Sequence, residues 1–213
     1  RIRRGDAATG LAGEEQIVSV VFADLAGFTP FSETRPPTEV LEMLNAFWAA
    51  VVPAIDSAGG VIEHFAGDGI MAIFNARGDQ PDHATRAARA ARAIVEAARP
   101  IAASRPGWPL FRVGVNTGPA VLGDVGATAR RSFAVIGDTT NTAARLEGMT
   151  KGTPHQLFVA ESTRLRLRDR EQLRFVVERL RLPRQARFPP VLPPAKAPAY
   201  RPPSRPRTLS RAR

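Results

Sequence analysis

An α+β domain, with helices packed on one face of a sheet, is the fold class that this 213-residue chain predicts. Short apolar runs rich in β-branched residues alternate with two long stretches whose apolar residues recur at helical spacing. The resulting order, β-α-β-β-α-β-β-α-β, mixes helices with antiparallel hairpins instead of repeating one βα unit. The length suffices for one sizeable core plus an appendage.

The first strand is expected at 17–24, where Val18, Val20, Val21 and Phe22 form a buried-type run. One acid, Asp24, falls near its end. A carboxylate there either caps a turn or is neutralised by a cation or strong donors. Gly27 then permits a tight turn, and Phe28 and Thr29 lead toward a helix whose N–H groups can face an anion. Pro36-Pro37 open a helix at 38–57, with Val40, Leu41, Leu44, Phe47, Trp48, Val51 and Ile55 at helical spacing and Gly59-Gly60 at its end.

Two apolar runs, 61–65 and 70–74, flank Ala66-Gly67-Asp68-Gly69, which reads as a hairpin centred on Asp-Gly. Such a turn often carries no chemistry. A helix follows at 81–103, apolar at Ala87, Ala91, Ile94, Val95 and Ala98, with Arg86, Arg89 and Arg92 on a solvated face. A strand at 111–116 runs into Thr117-Gly118-Pro119 and a second segment at 120–122. A polar connection at 123–131 leads to a strand at 132–136. Gly137-Asp138 begin a helix at 139–150, with Asp138 as N-cap. A strand at 157–160, a short helix at 161–167 and a last strand or hairpin at 173–182 complete the domain.

Residues 1–16 read as a lead-in, 17–182 as the domain, and 183–213 as a basic, proline-rich tail expected to be disordered. The net charge of +10 belongs mostly to that tail, which has eight Arg or Lys and no acid, leaving +2 for residues 1–182. The charge therefore does not mark the domain as a nucleic-acid binder, and no aromatic-rich strand or zinc pattern accompanies it. With no cysteine, disulfides and thiolate metal sites are excluded. No apolar run approaches the roughly 18 residues of a membrane span, and a cytoplasmic domain is expected. The missing initiator Met suggests a piece of a longer protein, which a membrane could anchor elsewhere.

Asp24 and Asp68 can converge if their strands are neighbours, and paired carboxylates suit Mg²⁺ or Mn²⁺ in phosphoryl transfer. Asn141 and Arg145 share a helix face at i, i+4. Arg145 can meet a phosphate or make a surface ion pair with Glu147 or another acid; Asn141 can orient a sugar, cap a helix or face solvent.

Taken together, four blocks resemble the catalytic domain of class III nucleotidyl cyclases, the adenylate and guanylate cyclases. They are Phe22-Ala23-Asp24-Leu25-Ala26-Gly27-Phe28-Thr29, Gly67-Asp68-Gly69-Ile70-Met71-Ala72-Ile73-Phe74, Gly114-Val115-Asn116-Thr117-Gly118, and Val135-Ile136-Gly137-Asp138-Thr139-Thr140-Asn141-Thr142-Ala143-Ala144-Arg145-Leu146. They occur in family order across 17–182.

The resemblance implies a ferredoxin-like domain with a mixed sheet, working as a head-to-tail homodimer with composite sites. Asp24 and Asp68 would hold two Mg²⁺ or Mn²⁺ ions, with Leu25, Ala26, Gly27, Phe28 and Thr29 at the triphosphate. The partner chain would supply Asn141 to the ribose and Arg145 to the reacting phosphorus. The product would be a 3′,5′-cyclic nucleotide, and an upstream regulatory domain is expected.

Three places depart from the family pattern. His64 stands where adenylate cyclases usually have a base-reading lysine, and Ala134 where Asp or Thr usually reads the base. His64 can make a hydrogen bond to a purine or simply occupy a partly exposed strand; Ala134 offers no polar side chain. ATP is placed ahead of GTP because adenylate cyclases are the commoner bacterial-type members. The family's C-terminal basic loop can be supplied by Arg179, Arg181 and Arg184, but the strand after it is replaced by prolines. A pseudo-cyclase serving as a regulatory nucleotide-binding module is the rival reading, though both aspartates, Asn141 and Arg145 are present.

Overall fold

The computed structural model describes residues 13–127 and 130–168. Strand β1 (Glu14–Leu25) precedes α1 (Phe28–Thr34) and α2 (Pro37–Ser57), then the hairpin of β2 (Val61–Ala66) and β3 (Gly69–Phe74). Helix α3 (His83–Ser104) leads to the long hairpin of β4 (Phe111–Ala127) and β5 (Arg130–Ile136). Helix α4 (Asp138–Met149), β6 (Leu157–Val159) and α5 (Glu161–Arg164) follow. The strand order is β2-β3-β1-β4-β5, with β6 beside β4. Among the described residues only the β4–β6 pairing is parallel, so the sheet is mixed. From β1 to β4 the path is β-α-β-β-α-β with β1 between β3 and β4, the expected ferredoxin-like arrangement.

Alternation along β1 sorts its side chains between two faces. Val21, Ala23 and Leu25 join α2, α3 and Phe111, Val113 and Val115 in the main core. Val18 and Val20 turn the other way, to Met71, Ile73, Leu122, Val135 and Ala143 of α4. Helices thus lie on both faces, which corrects the single-face expectation. The reason is local. A Cβ at Gly114 would collide with the Ala143 carbonyl and the Glu147 backbone nitrogen, so this glycine lets α4 lie directly on β4.

In α2 the buried stripe is Met43, Phe47, Val51 and Ile55. Leu41 is 59% exposed instead of buried. It lies two residues before Met43, a turn of about 200° around the helix. The helix is long and apolar enough (mean hydropathy 1.3) to cross a membrane, which a search for unbroken apolar runs misses, although its stripe packs in the core. Phe47 centres that core, with ring centroids 5.4 Å from Phe111 and 5.9 Å from Trp108. In α3 the expected residues Ala87, Ala91, Ile94, Val95 and Ala98 are all buried.

A buried polar chain ties α3, β1, β4 and α5 together. Ser19 Oγ lies 2.8 Å from His83 Nδ1 and 2.6 Å from Thr117 Oγ1, which is 2.8 Å from Thr163 Oγ1. Burial, then the Arg166 charge, lowers the His83 pKa, which favours the neutral ring in this chain of hydroxyls.

Three boundaries move. β1 begins at Glu14, so residues 14–16 of the expected lead-in pair with 120–122 of β4. Residues 117–119 do not turn: β4 continues through Pro119, whose carbonyl accepts a hydrogen bond from Thr139 Oγ1. On that edge β6 pairs with 113–115 and β5 ends opposite Val121, so the missing N–H of Pro119 interrupts neither ladder. The polar connection expected at 123–131 is mostly paired strand. The expected strand at 173–182, the basic residues Arg179, Arg181 and Arg184, and the tail lie outside the described residues.

Candidate active site

Asp24 stands one residue from the end of β1, opposite Arg112 in the β1–β4 ladder. Asp68 occupies the turn between β2 and β3, closed by the pair Ala66 and Gly69. Gly67, at φ 64, supplies the positive dihedral needed at the first central position. The central pair is therefore Gly67-Asp68, one residue earlier than the expected Asp-Gly. Because β3 runs beside β1, with Ala23 opposite Ile70, the turn carries Asp68 to Asp24. Burial, followed by the Asp24 charge, pushes Asp68 up to about 6. Gly69 completes the cradle, since a Cβ there would stand 3.2 Å from Asp24 Oδ1.

Two further charged groups close around this pair. Arg112 Nη2 lies 3.7 Å from Asp24 Oδ2, and Arg112 Nε lies 3.0 Å from Glu147 Oε1 on α4. Burial, reinforced by the charges of Asp24 and Asp68 and opposed by Arg112, pushes Glu147 up to about 7. Sequence reading does not assign Arg112, and it offers Glu147 only as an ion-pair partner of Arg145. Arg145 does pair with another acid, its Nη1 lying 3.7 Å from Asp138 Oδ1. A signal was available on β4: Arg112, Gly114, Asn116 and Gly118 alternate along an otherwise apolar strand and so share one face. That face receives α4. Asn116 Nδ2 donates to Thr139 O at 3.1 Å, and a Cβ at Gly118 would meet Thr139 Oγ1.

The remaining expected residues divide. Leu25 is 1% exposed and belongs to the core, so only its backbone can serve a ligand. Ala26 N–H donates to Leu110 O and Pro30 has no N–H, which leaves at most Gly27, Phe28 and Thr29 as backbone donors in this turn. Gly27 holds it at φ 77. Asn141 is exposed on α4; Arg145 lies on the same helix, and the cation beside the carboxylate pair within one chain is Arg112. Asp138 is the first residue of α4 instead of its N-cap, a position that Gly137 takes. His64 Nδ1 contacts the Glu63 carboxylate, both residues lying at a bulge in β2. Ala134 sits on β5 opposite Gly123, and β5 makes contact with β2.

Residues 12–182 match the family described as the adenylate and guanylate cyclase catalytic domain. The chain belongs to that family. Adenylate cyclase 1 of Rhizobium meliloti is 38% identical over 67% of this chain and 22% of its own length. Adenylate cyclase of Anabaena cylindrica is 35% identical over 71% of this chain and 31% of its own. The chain thus spans less than a third of the curated relatives it matches. Among solved structures, the guanylyl cyclase Cya2 is similar with a TM-score of 0.65 and 31% identity, covering 73% of this chain and 80% of that one. The adenylyl cyclase CyaB of P. aeruginosa gives 0.66 and 26%, covering 75% and 84%.

The cyclase domain's two carboxylates fit a hard divalent cation. Their contact, and the raised Asp68 pKa that burial and Asp24 together cause, mark a place where added positive charge relieves electrostatic cost. Among the described residues no group of three or more His, Cys, Asp or Glu is placed to hold a metal. Two carboxylates with phosphate and water completing the shell is how Mg²⁺ is usually held.

Proposed function

We propose that this cyclase domain converts ATP to 3′,5′-cyclic AMP and pyrophosphate at sites completed by a second copy of the chain. The observation that carries the reading is the meeting of Asp24 and Asp68 at the end of β1. These two carboxylates would hold two Mg²⁺ or Mn²⁺ ions, which when bound activate a hydroxyl and neutralise the leaving pyrophosphate. Gly27, Phe28 and Thr29 offer N–H groups to the triphosphate, and Arg112 adds positive charge on the same side. From the partner, Asn141 orients the ribose and Arg145 meets charge developing at the α-phosphate as the 3′-hydroxyl attacks in line. A dimer arrangement is typical of such cyclases, and the exposure of Asn141 on α4 agrees with a role toward a neighbouring chain.

A guanylate cyclase is the second reading. His64, its Nδ1 engaged by Glu63, would offer Nε2 to the purine, and Ala134 adds no polar group to prefer adenine. Similarity to adenylate cyclases at 38% and 35% identity favours ATP, while similarity to a guanylyl cyclase at 31% keeps GTP in view.

The test is product formation from ATP and from GTP with Mn²⁺, on the wild type and on Asp24→Ala. Cyclic AMP lost in the variant supports the proposal. Predominant cyclic GMP moves the base assignment to the second reading. No cyclic product from a stable wild-type dimer favours the regulatory pseudo-cyclase.

A further inference from the structure

We infer that Glu147 is a positioning residue for the metal carboxylates, acting by holding Arg112 off Asp24. The inference rests on the two-carboxylate reading of the site. One guanidinium lies between two acids: its Nε forms an ion pair with Glu147 Oε1 at 3.0 Å, without the angle of a hydrogen bond, whereas its Nη2 stops 3.7 Å from Asp24 Oδ2. Charge-assisted N–H···O contacts close to about 2.7–2.9 Å when nothing opposes them. The contact with Asp24 is therefore open. An arginine that closed on Asp24 would occupy the oxygen a divalent cation needs, and would place a like charge beside that cation.

The fold makes Glu147 the restraint. Asp24 and Arg112 are cross-strand partners, so the arginine cannot move away along the sheet. Glu147 is 7% exposed and comes from the helix above. Gly114, two residues along β4 on the face of Arg112, brings the backbone of α4 onto the strand at Glu147 itself. Asn116 and Thr139 lock the first turn of that helix to the same face. The carboxylate of Glu147 is thus delivered by backbone packing, not by a flexible surface side chain. The same helix carries Asn141 and Arg145, so the restraint on one chain's carboxylates sits on the element proposed to serve the neighbouring site.

The experiment is Mn²⁺ binding to the full 213-residue chain, read by the loss of the free-ion electron paramagnetic resonance signal without nucleotide. The proteins are wild type, Asp24→Ala, Glu147→Gln, Arg112→Met and the double variant Arg112→Met/Glu147→Gln, with thermal melts to show that each is folded. The expected result is Mn²⁺ affinity that falls on the order of tenfold in Glu147→Gln, with no further effect of that change when Arg112 is already Met. Should Arg112→Met fail to fold, Arg112→Gln gives the same comparison. An unchanged affinity in Glu147→Gln overturns the inference. So does an equal loss in both backgrounds, because Glu147 would then act by its own charge. A wild type that binds no Mn²⁺, or an Asp24→Ala variant that binds it as well, overturns the carboxylate reading and the inference with it.

Discussion

Asp68, in the turn before β3, faces Asp24 at the end of the neighbouring β1, and burial together with that neighbour's charge pushes its carboxyl from the ordinary 3.8 up to about 6. With Arg112 beside this pair of acids, the raised Asp68 carboxyl favours its proton until a cation replaces it.

Stability should record this linkage. In the unfolded chain Asp68 releases its proton near 3.8, but in the folded domain only near 6. The folded state therefore binds the extra proton between those values, and the metal-free domain loses stability as pH rises through that window. Glu147, raised from 4.5 to about 7, extends the effect in the same direction. Thermal melts from pH 4 to 7.5 without metal are expected to show the wild type losing stability relative to Asp68→Asn as pH rises, a comparison in which the opposite contributions of His64 and His83 cancel. The rise produced by saturating Mn²⁺ should be larger at pH 7 than at pH 5. A wild-type profile that falls relative to Asp68→Asn between pH 4 and 6 would assign that part of the slope.

Composite sites predict complementation. Asp24→Ala and Arg145→Ala are each expected to lose cyclase activity by about 10²-fold or more. Mixed and reassembled in equal amounts, half the dimers would contain one intact site of two, restoring about a quarter of the wild-type rate. Activity assays across mixing ratios check this; no recovery would place all the catalytic groups in one chain.

Gly114→Ala should separate helix seating from carboxylate chemistry. The added methyl has no room between the Ala143 carbonyl and the backbone nitrogen of Glu147. Lifting α4 is expected to cost about 1–3 kcal/mol in urea unfolding. It should also reduce activity, because Asn141, Arg145 and Glu147 all travel with that helix. Activity retained at wild-type level in a destabilised variant would show that α4 adjusts without consequence.

Phe47→Ala should cost about 3–5 kcal/mol of unfolding free energy, the range for truncating a fully buried aromatic side chain. Leu41→Ala, two residues before the first buried residue of the stripe but 59% exposed, should cost far less in the same measurement.

By itself the sequence determined the order of the elements, the α2 positions Phe47, Val51 and Ile55, the buried face of α3, and the candidacy of Asp24, Asp68, Asn141 and Arg145. Those properties are written in periodicity, turn residues and short motifs, which are local. Only the tertiary structure decided that α4 lies on the opposite face from α2 and α3, because that depends on Gly114 meeting a helix backbone 29 residues further along the chain. It alone turned Glu147 from a neighbour of Arg145 into the partner of Arg112, because a side chain two positions along a helix points away from the one before it. Pro119 reads as a break in sequence, yet it lies inside a strand since the edge beside it carries no ladder. The acids are legible as candidates, but their charge state is not: burial and the approach of Asp24 to Asp68 arise only when β1 pairs with β3, a strand distant in sequence.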